Sequence, residues 1–145
     1  MKDQVLCVDY FILQVEDRPG TGAELGKKLA KEGVNLLAIM AFPTGSGKTQ
    51  VDLVPENPET FTKAVRKLGL TATGPKLAFL VHGTDKAGAM AEVLDRLAQK
   101  DINVHAACGV GAGGSRYGAI LWVAPSDVEA ATRALGAQVA AHHQA

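Results

Sequence analysis

The strongest constraint on the fold is that the second half of the chain repeats the first. Shifting the sequence against itself by 68 positions brings identical residues into register. The coinciding pairs are Asp17 and Asp85, Gly20 and Gly88, Ala23 and Ala91, Glu24 and Glu92, Leu29 and Leu97, Ala30 and Ala98, and Asn35 and Asn103. After a glycine-rich turn the match resumes with one residue fewer, so that Leu68 meets Leu135. A period of this kind indicates one structural unit that occurs twice.

Each half carries the same order of predicted elements. Short apolar runs, DYFILQVE and KLAFLVHG, have the residue types of strands. Each is followed by a helical stretch, two strand-like segments joined by a glycine-rich turn, and a second helical stretch. A short last strand is expected at Leu70–Thr73 and at Gln138–Ala140, with Gly74–Pro75 as the turn between the halves.

This order, βαββαβ, predicts an α+β fold of two ferredoxin-like units in tandem, 1–73 and 74–145, each an antiparallel sheet with its helices on one face. Units of about 70 residues bury little apolar surface and leave sheet edges uncovered. We therefore expect the two halves to pair, and two chains to form a homodimer.

The segment FPTGSGKTQ raises the question of a phosphate-binding loop. That motif needs a glycine five residues before GK[ST], and a helix after it whose amides hold the phosphates. Phe42 stands at the glycine position, the following TQVDLVP is strand-like, and the equivalent VGAGGSRYG of the second half lacks the motif. We predict hairpin turns at both places, in which glycine supplies positive φ, and no nucleotide hydrolysis.

Composition excludes several classes of function. Lys plus Arg and Asp plus Glu each number 15, so there is no net field to attract nucleic acid or an acidic membrane. Cys7 and Cys108 are too few for a disulfide scaffold, which favours a reducing compartment. Acidic residues interrupt the apolar start of the chain, so we expect neither a signal peptide nor a membrane span, and a cytoplasmic protein.

The loop after the first strand of each half carries a family resemblance. The segment VEDRPGTGAELGKKLAKEGVNLLAI resembles the ACT domain, a small ligand-binding module of enzymes of amino-acid metabolism. The matching features are an acidic residue, Pro and Gly after the first strand, an apolar helix, and Gly-Val-Asn before the second strand. The segment GTDKAGAMAEVLDRLAQKDINVHAA resembles the same domain more loosely, as a second copy, with Ala87 in place of Pro19 and Asp101 in place of Gly33.

The resemblance implies a regulatory module that holds a free amino acid or similar effector at the seam between two ACT units. The implied ligand-binding residues are Asp17, Arg18, Pro19, Gly20 and Asn35 in the first half, and Asp85, Lys86, Gly88 and Asn103 in the second. Glycine allows the backbone to approach a ligand, a helix start suits a carboxylate, and asparagine offers both a donor and an acceptor.

Each of these residues also has a purely structural interpretation. Asp17 and Asp85 are residue types that cap helices, Pro19 stiffens a turn, and Asn35 and Asn103 tolerate the left-handed geometry that ends a helix. The changes at Ala87 and Asp101 weaken the second site. His82 and His105 could give that half its own ligand preference.

A metal site at His105, Cys108 and His82 is disfavoured, because residues three apart on a strand point to opposite faces and no further ligand completes a tetrahedron. His142 and His143 lie in a tail to which we assign no role. We expect no catalytic residues, no metal and no cofactor. The predicted function is regulation through a small-molecule effector and a partner enzyme or regulator; the alternatives are a small acyl-phosphatase-like enzyme and a ligand-free dimerisation scaffold.

Overall fold

The computed structural model describes residues 3–139. The helices and strands are β1 (Gln4–Glu16), α1 (Thr21–Lys31), β2 (Leu36–Pro43), β3 (Lys48–Pro55), α2 (Pro58–Lys67), β4 (Thr73–Thr84), α3 (Ala89–Ala98), β5 (Val104–Gly113), β6 (Arg116–Val123), α4 (Val128–Leu135) and β7 (Gln138–Val139). A 3-10 turn at Pro125–Asp127 precedes α4. The predicted α+β class and the ferredoxin-like units are confirmed.

One compact unit comprises Asp9–Lys76. Its strands follow the order β2-β3-β1, and both pairings are antiparallel, with Leu53 of β3 opposite Phe11 on one side and Ile39 on the other. Helices α1 and α2 cover one face, because Leu25, Leu29, Phe61 and Ala64 alternate with polar residues at helical spacing. The rings of Phe11 and Phe61 lie 4.5 Å apart at the centre of this core.

The second compact unit combines the described residues up to Val8 with those from Leu77 onward. Its strands follow the order β4-β6-β5, again antiparallel, and β7 pairs in parallel with the first residues of β1, Leu6 opposite Gln138. Its core holds the inward side chains of the strands and the apolar faces of α3 and α4, among them Phe79, Leu97 and Leu121. The halves 1–73 and 74–145 remain a prediction from the repeat, whereas these two units are defined by contacts.

The expected turn at Gly74–Pro75 and the strand at Leu70–Thr73 are both wrong. Strand β4 begins at Thr73 and passes straight through the pair, while residues 70–72 lie outside any strand. A Cβ atom at Gly74 would lie 2.9 Å from the carbonyl oxygen of Tyr10, so the glycine allows close approach of two backbones rather than a reversal of the chain. The strand expected at Gln138–Ala140 is present as β7, and Ala140 lies outside the described residues.

The GSGKT segment forms the turn between β2 and β3, as predicted. Gly45 and Gly47 have φ values of 84° and 78°, and the amide of Thr44 donates to the carbonyl of Lys48 at 3.0 Å. The chain enters a strand after this turn and not a helix, so it supplies no helix amides for a phosphate. In residues 3–139, no helix has the length and apolarity to cross a membrane.

Candidate functional site

A cavity of about 280 Å³ lies in the second unit, where the loop between β4 and α3 faces strand β5. Three of the predicted ligand-binding residues, Asp85, Lys86 and Gly88, line it. The opposite wall is formed by Gly109, Val110 and Gly111, and the remaining lining residues are Ala89, Met90, Ala91 and Tyr117. The structure therefore brings the predicted loop together with a strand segment that the sequence does not single out.

Backbone hydrogen bonds hold the loop in place. The amide of Asp85 donates to the carbonyl of Ser115 at 2.9 Å, which fixes the loop to the turn between β5 and β6. The amide of Ala89 donates to Lys86 O at 3.1 Å, and Glu92 N donates to Gly88 O at 3.0 Å, so α3 starts immediately. Gly88 occupies the N-cap position with φ 83°, a left-handed conformation that favours glycine.

The wall that β5 forms leaves room for the cavity because two of its residues, Gly109 and Gly111, have no side chain. A Cβ atom at Gly109 would lie 3.3 Å from Met90 Cγ, and one at Gly111 would lie 3.4 Å from Asp85 Oδ2. Neither glycine has a positive φ. Their role is therefore spatial: a side chain at either position would occupy the cavity rather than strain the backbone.

Charged and polar groups ring the cavity. Lys86 Nζ and Glu92 Oε1 form an ion pair at 3.0 Å, with both side chains more than half exposed. Tyr117 is buried, and burial raises the pKa of its hydroxyl, with smaller contributions from the negative charges of Asp3 and Glu92. The cavity thus combines the carboxylate of Asp85 with apolar surface from Met90, Val110 and Tyr117.

The corresponding loop of the first unit is built in the same way but carries different contacts. Gly20 is the N-cap of α1 with φ 93°. The amide of Asp17 donates to Gly47 O at 3.0 Å, and its carboxylate accepts a hydrogen bond from Thr49 Oγ1 at 3.2 Å. Arg18 lies 3.7 Å from the carboxylate of Glu24, and Pro19 is exposed.

The two predicted asparagines lie at the far end of each unit from these loops. Asn35 precedes β2, and its Nδ2 donates to Glu56 Oε2 at 2.9 Å, beyond the last residue of β3. Asp17 is hydrogen-bonded to Thr49, at the opposite end of β3. At about 3.4 Å per residue, the length of β3 therefore separates the Asp17 loop from Asn35 by roughly 20 Å. Asn103 similarly lies just before the first residue of β5, Val104, which pairs with Val123. Asn103 does not line the cavity. Within one unit, loop and asparagine do not meet.

The helix-cap interpretation of Asp17 and Asp85 is wrong, because glycines hold both N-cap positions. Asn35 and Asn103 also do not end the helices: the left-handed residues after α1 and α3 are Gly33, with φ 78°, and Asp101, with φ 58°. The change from glycine to aspartate at this position therefore preserves the backbone conformation, since aspartate tolerates it better than most residues.

Sequence reasoning misses the wall formed by Gly109, Val110 and Gly111. The sequence pattern ends the strand at Val110 and assigns Gly111 to the turn, whereas β5 extends to Gly113. Glycine within a strand often marks a close approach of another group, and this is the signal that the sequence offers.

Two of the four histidines, His82 and His105, lie within the described residues. His82 lies in β4 opposite Gly118, and His105 lies in β5. Among residues 3–139 no group of three His, Cys, Asp or Glu side chains is placed to share a metal ion. His142 and His143 are outside the described residues.

Among the comparisons with known proteins, the one with solved structures supports the fold. No family model matches the chain, and no curated protein matches it. Among solved structures, protein BT0572 from Bacteroides thetaiotaomicron is similar with a TM-score of 0.77 and 16% identity, over 91% of this chain and 88% of that one. The ligand-free regulatory subunit of aspartate kinase from Thermus thermophilus has a TM-score of 0.62 and 18% identity, over 94% of this chain and 95% of its own.

The regulatory subunit of aspartate kinase from Thermus flavus is similar to the same extent, with a TM-score of 0.58 and 16% identity over 94% of this chain and 95% of that chain. At such identities the likeness shows a shared fold. Because each match extends over more than nine-tenths of this chain, it supports the fold described above for both units.

Proposed function

We propose that this protein is a tandem ACT-type regulatory protein that binds a free amino acid or a related small metabolite. The observation that carries the proposal is the cavity beside the β4–α3 loop, because three of its lining residues are ones that the resemblance to the ACT domain implies as ligand-binding. Its volume, about 280 Å³, is close to the lower end, about 300 Å³, of small-molecule sites. A metabolite of amino-acid size suits it.

The chemistry of the cavity suits a zwitterion with an uncharged side chain. The Asp85 carboxylate is an acceptor for an ammonium group, and the amides of Met90 and Ala91, in the first turn of α3 beside the cavity, are donors for a carboxylate. Met90, Val110 and Tyr117 supply apolar surface to a side chain. The regulatory subunits of aspartate kinase with the same fold add support by analogy only.

We place the complete site at a seam between ACT units, with a homodimer as its setting. Strand β2, LLAIMAFP, is the last strand in the order of its unit and carries no charged residue. Leu37 and Ile39 are 43% and 60% exposed. In the second unit, Val110 on its last strand, β5, is 64% exposed although it lines the cavity. A second copy that covers β2 and β5 would bury this apolar surface and close the cavity. It would also bring the end of one unit that carries the asparagine towards the end of another unit that carries the strand–helix loop.

Binding would act by population shift. A ligand that contacts two units favours the paired arrangement to the extent that it binds that arrangement more tightly than the alternative. The paired form would then act on a partner enzyme or regulator, in the cytoplasm, without catalysis, metal or cofactor in this chain.

A thermal-shift screen of the common amino acids and their metabolic relatives tests the proposal. A ligand at 100 times its Kd stabilises the folded state by about 2.7 kcal/mol, which is roughly 5 to 10 °C for a chain of this size. Gly111→Val fills the cavity and should abolish the shift. Ala107→Val makes a comparable change on the same strand outside the cavity, and should leave the shift intact.

The remaining variants separate the parts of the proposal. Asp85→Asn should weaken binding, and Asn35→Ala should do so only if the seam between units completes the site. Ile39→Asp should dissociate a dimer in sedimentation experiments, whereas Ala30→Asp on the exposed side of α1 should not. A response that survives Gly111→Val places the ligand elsewhere. Silence of every compound favours the scaffold, and hydrolysis of an acyl phosphate favours the small enzyme.

A further inference from the structure

A second, larger hollow lies in the same unit as the cavity but on another side of Tyr117. This groove, of about 900 Å³, runs between the first residues of β1, the middle of α3 and the end of α4. Within residues 3–139, Tyr117 is the one lining residue that it shares with the loop cavity. None of the nine residues that the family resemblance implies as ligand-binding, all of which lie in that range, lines it, although His82, which could give this half its own ligand preference, does.

The floor of the groove is apolar. Val5, Val81, Val93 and Leu135 line it, and each of them also belongs to the buried core of the unit. These side chains come from two strands and two helices, so the floor is fixed by the packing of the whole unit and not by one mobile loop. An apolar group placed here would replace water above a preformed surface.

Two guanidinium groups stand at the rim of the groove, Arg96 on α3 and Arg116 on β6. Arg96 Nη1 reaches the carbonyl oxygen of Leu135 at 3.5 Å, the limit of a hydrogen bond. Arg116 Nη1 lies 3.4 Å from Thr84 Oγ1 and 3.9 Å from Asp3 Oδ1. These contacts are long, so both groups can turn towards a stronger acceptor at small cost.

The rim is positively charged, because among its described lining residues two arginines, Arg96 and Arg116, face one carboxylate, that of Asp3. That carboxylate already accepts a hydrogen bond from the amide of Thr84 at 2.8 Å. The groove therefore offers guanidinium donors above an apolar floor, which is the combination that suits an anion with an apolar body.

We propose that the groove between β1, α3 and α4 binds a monoanionic, partly apolar ligand of the carboxylic-acid class, with its carboxylate at Arg96 and Arg116 and its apolar part on Val93 and Leu135. This site is separate from the loop cavity and does not depend on the proposed function. Amino acids would occupy the cavity, whereas the groove takes acids whose affinity grows with apolar length.

The test uses the full chain and the dye 1-anilinonaphthalene-8-sulfonate, which joins one negative charge to an aromatic body. Fluorescence titration should show one saturable site per chain. Arg96→Gln and Arg116→Gln should each weaken dye binding by about tenfold, the loss of one charged hydrogen bond. Arg133→Gln removes the same charge from the outer side of α4, where Arg133 pairs with Glu129, and should change the affinity less than about twofold.

Straight-chain carboxylates should displace the dye with an affinity that rises with each added CH₂ from butanoate to hexanoate. The gain should stay below about fourfold, the value for complete burial, because Val93 and Leu135 are only 6% and 3% exposed. The neutral dye Nile red should bind wild type and Arg96→Gln alike, since it lacks the anion. Asp85→Asn, in the loop cavity, should leave titration with the anionic dye unchanged, which separates this proposal from the proposed function. Dye binding that is indifferent to both groove arginines, or equally sensitive to Arg133→Gln, would overturn it, as would a flat carboxylate series.

Discussion

Gly83 on β4 is the position where the structure makes its sharpest stability prediction. Gly83 is paired with Tyr117 of β6, and the aromatic ring lies across it. A Cβ atom at Gly83 would be 2.4 Å from Tyr117 Cε1, 2.9 Å from Cζ and 3.1 Å from the hydroxyl oxygen. An ordinary contact starts about 1 Å further out, so in Gly83→Ala the ring has to move by about that distance against close packing.

Tyr117 packs in the core of the unit and is only 6% exposed, but it also borders the loop cavity and the groove, so the ring shifts partly against core side chains and partly into that space. Overpacking of this kind costs about 1 to 3 kcal/mol, which corresponds to a fall in Tm of roughly 2 to 12 °C. Thermal unfolding followed by tryptophan fluorescence measures this fall in Tm. Trp122, the single tryptophan of the chain, lies on the neighbouring part of β6 in the same unit.

A double-mutant cycle identifies the cause. Tyr117→Ala alone should destabilise by about 3 to 5 kcal/mol, as removal of a buried aromatic side chain does. In that background, Gly83→Ala meets no ring and should cost less than about 0.5 kcal/mol, so the coupling energy should be close to the whole cost of the first change. A wild-type Tm for Gly83→Ala, or an equal cost in both backgrounds, would refute the steric argument.

Three further predictions concern single residues elsewhere. Gly26→Ala in α1 should stabilise by about 0.5 to 1 kcal/mol in chemical unfolding, because a Cβ there meets nothing within 4 Å and the helix gains rigidity. Asn57→Ala should destabilise by about 1 kcal/mol, since the Asn57 side chain accepts hydrogen bonds from the amides of Glu59 and Thr60 at the start of α2. Asp3→Asn should flatten the loss of Tm on acidification below about pH 4. The hydrogen bond from the amide of Thr84 lowers the pKa of Asp3, so the wild-type carboxylate stabilises the fold above its unfolded pKa and loses this contribution as the pH falls through the folded pKa.

The order of elements could be predicted because its signals are local. Apolar periodicity marks the strands and helices, and the pair Gly20 and Gly88 marks the starts of α1 and α3. The path of the chain from residue 70 to residue 76 could not be predicted in the same way. Gly74–Pro75 is a frequent turn sequence, but here an adjacent backbone at Tyr10 requires a glycine within an extended strand. Contacts distant in sequence decide this local conformation.

The candidate site was predictable on one side only. Its loop carries the resemblance to the ACT domain, so Asp85, Lys86 and Gly88 could be named from the sequence. Its other wall, around Val110, depends on which residues of β5 lie opposite that loop, and this follows from strand register and not from any motif. The register of β5 against β6, with Gly111 opposite Tyr117, supplies what the sequence could not.

The two units differ more in the space beside their loops than in the loops themselves. The substitutions that weaken the motif in the second half, Ala87 and Asp101, leave Gly88 at the helix start and keep a left-handed residue after α3. The shift that aligns the halves also places Gly109 and Gly111 where the first half has Ala41 and Pro43. The first half therefore has side chains where the cavity wall of the second unit has none, and a Cβ on either glycine would contact Met90 or Asp85. This difference between the two strands is the reason why the proposed site lies in the second half, although its loop matches the motif less well.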